Sequence, residues 1–234
     1  MLLHEHLENG ADKNPNFPFS EFEGNSLSYQ EANLLSNQLA NKLVSEGLEV
    51  GDRFAFLAKN CTEMAIMYYA ASKVGAVPVP LNYRLADQEW AYIINDSEAK
   101  LIIVKGNEYS DRINQISSEL KNIKKYISIS LDNSIEKFQD FYDWLSDSSN
   151  EKPTLKIHEN DDVYQMYTSG TTGHPKGAVL LQRNVAANIR QYLNSLTLPR
   201  PSRTLLVAPM YHAAAMINML SLIHISEPTR PIAI

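Results

Sequence analysis

From Arg53 onward, short apolar runs alternate with longer helical patterns, and this order constrains the fold more than any other feature of the 234 residues. Arg53 to Ala58 reads as a strand. Asn60 is placed to cap a helix in which Met64, Ala65, Tyr68 and Tyr69 recur, and Gly75 can end it. Val77-Pro78-Val79-Pro80 is extended, and its prolines exclude a central strand. Asp87 starts a helix carrying Trp90, Ile93 and Ile94, and Leu101-Ile102-Ile103-Val104 reads as a buried parallel strand. Gly106 to Pro153 is more polar, with another helix, a strand at Tyr126 to Ile129 and a loose loop near Asp147 to Asn150. Asp162 to Tyr167 is a strand, Val185, Ile189, Tyr192, Leu193 and Leu196 mark an amphipathic helix, Thr204 to Ala208 is a strand, and a last helix starts near His212. Upstream, Ser28 and Glu31 have the spacing of a capping box ahead of Leu35, Leu39 and Leu43, and Gly47 can end that helix. This alternation predicts an α/β fold of parallel-sheet layers flanked by helices. Ligands of such sheets sit in loops at the carboxyl ends of strands.

Composition narrows the function classes. Hydrophobic residues make up 44% and charged residues 21%, which fits a globular chain and excludes wholesale disorder. A net charge of −6 makes nucleic acid a poor partner, and Lys121, Lys124 and Lys125 read as a solvated helix end. The lone Cys61 permits no internal disulfide, fits a reducing compartment and reads as core packing. The amino end lacks the pattern of a signal peptide. The apolar stretch from Leu205 to Ile225 is broken by Pro209, His212, Asn218 and His224, which makes a poor membrane span. The expectation is a cytoplasmic protein without a membrane span, its oligomeric state left open. No His, Cys and Asp set has the spacing of metal ligands, and the serines lack a Gly-x-Ser-x-Gly elbow.

One segment carries chemistry. Tyr167-Thr168-Ser169-Gly170-Thr171-Thr172-Gly173-His174-Pro175-Lys176-Gly177 holds three of the nine glycines and four Ser and Thr hydroxyls directly after a strand. Glycine lets backbone N–H groups approach a ligand, hydroxyls rotate to suit, and Lys176 adds positive charge, a combination suited to a polyphosphate. The alternative is a flexible Ser/Thr/Gly loop closed by a proline turn. The spacing departs from a Walker A loop, since Pro175 precedes Lys176 and Gly177 follows it.

This segment resembles the phosphate-binding signature of the adenylate-forming superfamily, which includes acyl-CoA synthetases, peptide-synthetase adenylation domains and luciferases. Gly47 to Arg53, Leu81-Asn82-Tyr83-Arg84-Leu85 with Trp90 to Ser97, and Pro209-Met210-Tyr211-His212 are similar to further blocks of the family in the same order. The resemblance runs from about Ser20 to about Leu220 and lies nearest acyl-CoA synthetases. It implies that ATP activates a small carboxylic acid, with a fatty acid as the chain's expected class, to an acyl-adenylate, and that coenzyme A thiolate then takes the acyl group. Thr168, Ser169, Gly170, Thr171, Thr172, Gly173 and Lys176 would bind nucleotide phosphate, with Mg2+ neutralising the rest. Thr168 would lie near metal and nucleotide, and Lys176 would also serve loop closure. His212 matches a position lining the carboxylate pocket, beside the plainer reading of a helix-start histidine. His174 reads as a solvent-side loop residue. Tyr83 and Arg84 are read as bracing the sheet edge, and Trp90, Met64, Met67, Met216 and Met219 as core.

Leu181-Gln182 stands where relatives often carry Ser/Thr-His, a departure read as costing a helix cap or surface contact. The family's Tyr-Gly-x-Thr-Glu block with its magnesium-binding Glu, its Thr-Gly-Asp block and its small carboxyl-terminal domain with the catalytic lysine are not in this sequence. Residues 1–220 are therefore expected to be the front part of the large domain, inactive alone, with the catalytic residues unassigned. Residues 221–234 depart from the family and resemble translated adapter read-through. A non-catalytic truncated scaffold and a peptide-synthetase adenylation domain are the competing readings.

Overall fold

The computed structural model describes residues 1–130, 135–168, 174–195 and 203–222, with the side chains of 221 and 222 excepted. In chain order the elements are α1 (Leu3–Lys13), β1 (Pro18–Phe22), β2 (Asn25–Ser28), α2 (Tyr29–Ser45), β3 (Arg53–Leu57), α3 (Thr62–Val74), β4 (Val77–Leu81), α4 (Asp87–Asp96), β5 (Leu101–Lys105), α5 (Asn107–Gln115), β6 (Lys125–Ile129), β7 (Phe138–Asp140), α6 (Phe141–Leu145), β8 (Asp162–Thr168), β9 (Lys176–Leu181), α7 (Gln182–Ser195) and α8 (Ala213–Leu222).

Five strands form one parallel sheet in the order β4-β3-β5-β6-β7. Alternation along each strand sends successive side chains to opposite faces, and here both faces are covered. Phe54, Phe56, Ile103, Ile127 and Ile129 join α1, α2, α3, α6, α7 and α8 in one core. Ala55, Leu57, Val79, Leu81, Ile102 and Val104 join α4 and α5 in the other. Each large apolar side chain so buried contributes about 1.5–3 kcal/mol. The parallel sheet flanked by helices is the predicted fold class. Pro78 and Pro80 lie on β4, an edge of this sheet, because a residue without an N–H cannot serve a ladder on both sides.

Several local expectations hold. Ser28 Oγ accepts from Glu31 N–H while Glu31 accepts from Ser28 N–H, closing the capping box of α2. Gly47 and Gly75 take the left-handed conformation that ends α2 and α3. Trp90 and the four core methionines are buried, and so is Cys61, whose thiol burial pushes up to about 12.

Others are corrected. The turn holding Lys121 and Lys124 leads into β6, whose first residue is Lys125, so the lysines mark a strand entrance and not a helix end. The expected strand Thr204 to Ala208 joins no ladder, since among the described residues no strand pairs with it; Leu205 is 83% and Val207 82% exposed. Gln182 is fully buried at the start of α7, not on the surface. Its amide donates to Ser72 Oγ (2.9 Å) and its carbonyl accepts from Leu3 N–H (3.1 Å), so one side chain ties α7 to α3 and α1. His4 Nδ1 meets the same hydroxyl at 3.0 Å. The hairpin β1–β2, β7 with α6, and β9 are elements that the apolar pattern did not reveal.

Candidate functional site

The glycine-rich segment connects two antiparallel strands, β8 and β9, and not a strand to a helix. Thr168 and Lys176 face each other in register at the mouth of this hairpin, both exposed. Ser169, Gly170, Thr171, Thr172 and Gly173 lie outside the described residues. The structure therefore brings together the first and last of the phosphate-binding candidates, a hydroxyl and an ammonium.

The base of the hairpin is fixed from below. Val163, Tyr164, Gln165 and Met166 are buried, and Tyr164 packs edge-on against Tyr68 of α3. Arg53 Nε donates to Gln165 Oε1 (3.3 Å), Gln165 Nε2 donates to Tyr167 Oη (3.0 Å), and Tyr167 donates to Asp96 Oδ2 (2.6 Å). Burial, and then the Asp96 carboxylate, hold the Tyr167 hydroxyl protonated far above neutral pH. A Cβ at Gly177 would collide with Gln165 Nε2 and stand 2.9 Å from Tyr167 Cζ. Glycine is needed there to let the two side chains lie across β9.

This chain of bonds also locates the loop. Arg53 opens β3, and Asp96 closes α4 just ahead of β5. His174 stacks on Tyr92 of α4, ring centroids 4.8 Å apart. The loop base thus lies at the amino-terminal edge of β3 and β5, whereas parallel-sheet topology alone led to the carboxyl ends. The hairpin β8–β9 forms a two-stranded sheet of its own, and Gln165 and Tyr167 of β8 meet the edge where β3 begins and α4 ends. His174 is exposed, as a solvent-side loop residue should be.

His212 stands apart. It is exposed at the entrance of α8; its N–H donates to Pro209 O and its carbonyl accepts from Met216 N–H, both at 3.0 Å. Among the described residues no hydrogen bond, ion pair or ring contact joins it to Thr168 or Lys176. Its neighbour Tyr211 packs edge-on against Tyr83 at 5.3 Å, and Tyr83 in turn lies beside Tyr109 and beneath Arg84. Tyr83 therefore bridges the Leu81–Leu85 and Pro209–His212 blocks.

Two contributors escaped the sequence reading. Asp96 lies in the Trp90–Ser97 block but was given no role there; the approach of β8 recruits it through Tyr167. Asn60 does not cap α3, whose N-cap is Cys61 with no side-chain cap bond. Its side chain instead reaches the backbone of residues 206–210. Among the described residues no group of three or more His, Cys, Asp or Glu side chains converges as a metal cage, and no helix is long and apolar enough to cross a membrane.

Residues 7–226 match the family described as AMP-binding enzyme. The chain is 32% identical over 196 residues to a long-chain-fatty-acid–CoA ligase, FadD13, of Mycobacterium tuberculosis, covering 83% of this chain and 37% of that protein. It is 31% identical over 193 residues to a feruloyl-CoA synthase of an Amycolatopsis species, covering 82% and 36%. The fold superposes on the crystal structure of the N-terminal domain of FACL13 from Mycobacterium tuberculosis with a TM-score of 0.85 at 27% identity, over 96% of this chain and 55% of that one. The chain thus spans little more than a third of the length of these curated relatives.

Proposed function

The chain belongs to the AMP-binding enzyme family, and from that premise we propose that the protein it forms part of activates a fatty acid with ATP and passes the acyl group to coenzyme A. The carboxylate would attack the α-phosphorus, an acyl-adenylate would form as pyrophosphate leaves, and the thiolate would then displace AMP. The observation that carries this reading is the braced hairpin mouth. Thr168 and Lys176 are held opposite one another on a base locked by Gln165, Tyr167, Asp96 and the bare Gly177 backbone. Donors fixed before the ligand arrives need no reorganisation when charge develops on the leaving pyrophosphate, which is where preorganised electrostatics acts most strongly.

Thr168, Ser169, Gly170, Thr171, Thr172, Gly173 and Lys176 are the proposed phosphate-binding set, and His212 the proposed acid-side residue. Hydroxyl and ammonium donors fit a polyphosphate and do not form a carboxylate cage for a metal. Of these groups the Thr168 hydroxyl oxygen would be the one to meet a Mg2+ ion arriving with the nucleotide, which would neutralise phosphate charge when bound. The fatty-acid class is supported by the ligase similarity, including that to FadD13. The Tyr-Gly-x-Thr-Glu block and the distal catalytic lysine are not in these 234 residues. We propose that this stretch alone does not complete adenylation.

The test is carboxylate-dependent ATP–pyrophosphate exchange by the protein carrying this chain, with fatty, aromatic and amino acids offered in parallel. Exchange with fatty acids is the expected result. Exchange with amino acids only would make it a peptide-synthetase domain, and exchange with no acid would sink the enzyme reading. Turnover by the 234-residue stretch alone would overturn its proposed inactivity.

A further inference from the structure

We infer that Asn60 is a positioning residue: through three hydrogen bonds it holds the irregular segment 206–210 against the carboxyl end of β3, and so presents Tyr211 and His212. Its Oδ1 accepts from Met210 N–H at 2.7 Å, and its Nδ2 donates to Ala208 O at 2.9 Å and, more weakly, to Leu206 O at 3.5 Å. The amide thus uses its acceptor and its donors on a stretch of backbone that no strand supports.

The surroundings make this grip consequential. Leu205 and Val207 are turned to solvent while Leu206 and Met210 pack on the core, so apolar contact holds alternate side chains and the Asn60 amide holds the backbone between them. Met210, the last residue of the grip, is 5% exposed, and α8 begins three residues later. Between them stand Tyr211, which contacts Tyr83, and His212. Asn60 itself lies two residues before α3, a helix buried along nearly its whole length, so the anchor is rigid where the anchored segment is not regular. It also lines a cavity of about 250 Å3 at the carboxyl ends of β3 and β5, together with Phe22, Lys59, Lys105 and Tyr109. Asn60 is therefore the shared wall between that cavity and the block carrying His212. The ordinary role of an asparagine here, an N-cap, is not the one it fills.

That the presented block serves an acid pocket rests on the proposed function; the positioning itself does not. The experiment follows amide hydrogen exchange and Tyr211–Tyr83 ring contacts by NMR in the full 234-residue chain. Asn60→Ala should lower the protection of the Met210 amide about tenfold, the scale of one hydrogen bond, and abolish the Tyr211–Tyr83 contact. Amides in the middle of α3 should keep their protection. Unchanged Met210 protection and an unchanged ring contact would overturn the inference. Should Asn60→Ala fail to fold, Asn60→Asp decides. A protonated carboxyl offers one donor and one acceptor and should restore the grip, whereas the ionised form only accepts and should release Ala208. The Met210 bond is kept in both forms, so it is the Tyr211–Tyr83 contact that should weaken as pH rises through the new carboxyl's titration, while the native chain shows no such step. Absence of that step would equally overturn the inference. No ligand enters the measurement, so failure of the enzyme reading would leave these results untouched.

Discussion

Strand β5 is paired on both edges, and Ile102, Ile103 and Val104 are covered on both faces. Strand β9 has one partner, and its residues from Lys176 to Val179 face solvent. The first belongs to a region held by area: many apolar side chains, none individually decisive in its placement. The second belongs to a region held by address, in which the Tyr167–Asp96 bond, the bare Gly177 backbone, the buried Gln182 amide and the Asn60 grip each fix one short stretch. The proposed chemistry sits wholly in the second region. A ligand loop must keep its donors unsatisfied until the ligand comes, so it cannot be stabilised by the burial that secures the sheet.

The largest effect should come from the sheet. Phe56→Ala removes a ring from the dry core and should cost about 3–5 kcal/mol in urea unfolding, whereas Val207→Ala should change stability by no more than about 0.5 kcal/mol. Equal costs would erase the distinction between the two regions. Next comes Gln182→Leu, which leaves Leu3 N–H without its buried partner, Ser72 Oγ keeping only His4, and should cost about 1–3 kcal/mol by the same assay. Gly177→Ala should cost a similar about 1–3 kcal/mol through overpacking against Gln165 and Tyr167. Its distinguishing mark is loss of the Tyr167–Asp96 contact by NMR.

A pH titration separates the two regions in another way. Burial lowers the His4 pKa below 6.5, against the partly opposing charge of Glu8, and lowers that of His6 to about 4. In the unfolded chain both would titrate near 6.5. The folded form binds fewer protons, so the stability these groups contribute is present above pH 6.5 and is lost as pH falls from 6.5 towards 4. Exchange of α1 amides should accelerate over that window ahead of those in β5; simultaneous acceleration would show that α1 is not separately anchored. The smallest effect is expected from Tyr167→Phe, about 0.5–1.5 kcal/mol or less in global stability. Its expected consequence is faster amide exchange in β8 and β9.

Legibility followed the same division. Leu101 to Val104, the Ser28 box, Gly75 and the proline-marked edge strand could be read because burial and backbone chemistry leave periodic or positional traces in sequence. Thr204 to Ala208 has the same apolar look as a strand, yet joins no ladder, since strand formation needs an edge to pair with and propensity does not supply one. Gln182 looked like a surface substitution and is a buried junction of three helices. The glycine-rich segment, the proposed phosphate site, stands out in sequence by its glycines, hydroxyls and lysine. Its setting in an antiparallel hairpin does not, because β9, Lys176 to Leu181, reads as an approach to the next helix.

By itself, the sequence determined the alternating α/β order and the two-faced sheet, and it holds the residue types on which the proposed phosphate site rests. These depend on residue type and on spacing along one stretch of chain. Only the tertiary structure decided that the base of the hairpin stands at the amino-terminal edge of the sheet, that Asp96 braces Tyr167 there, and that Asn60 grips a segment some 150 positions away. A hydrogen bond between distant residues is set by where the packed elements arrive, and a side chain carries no record of the partner it will meet.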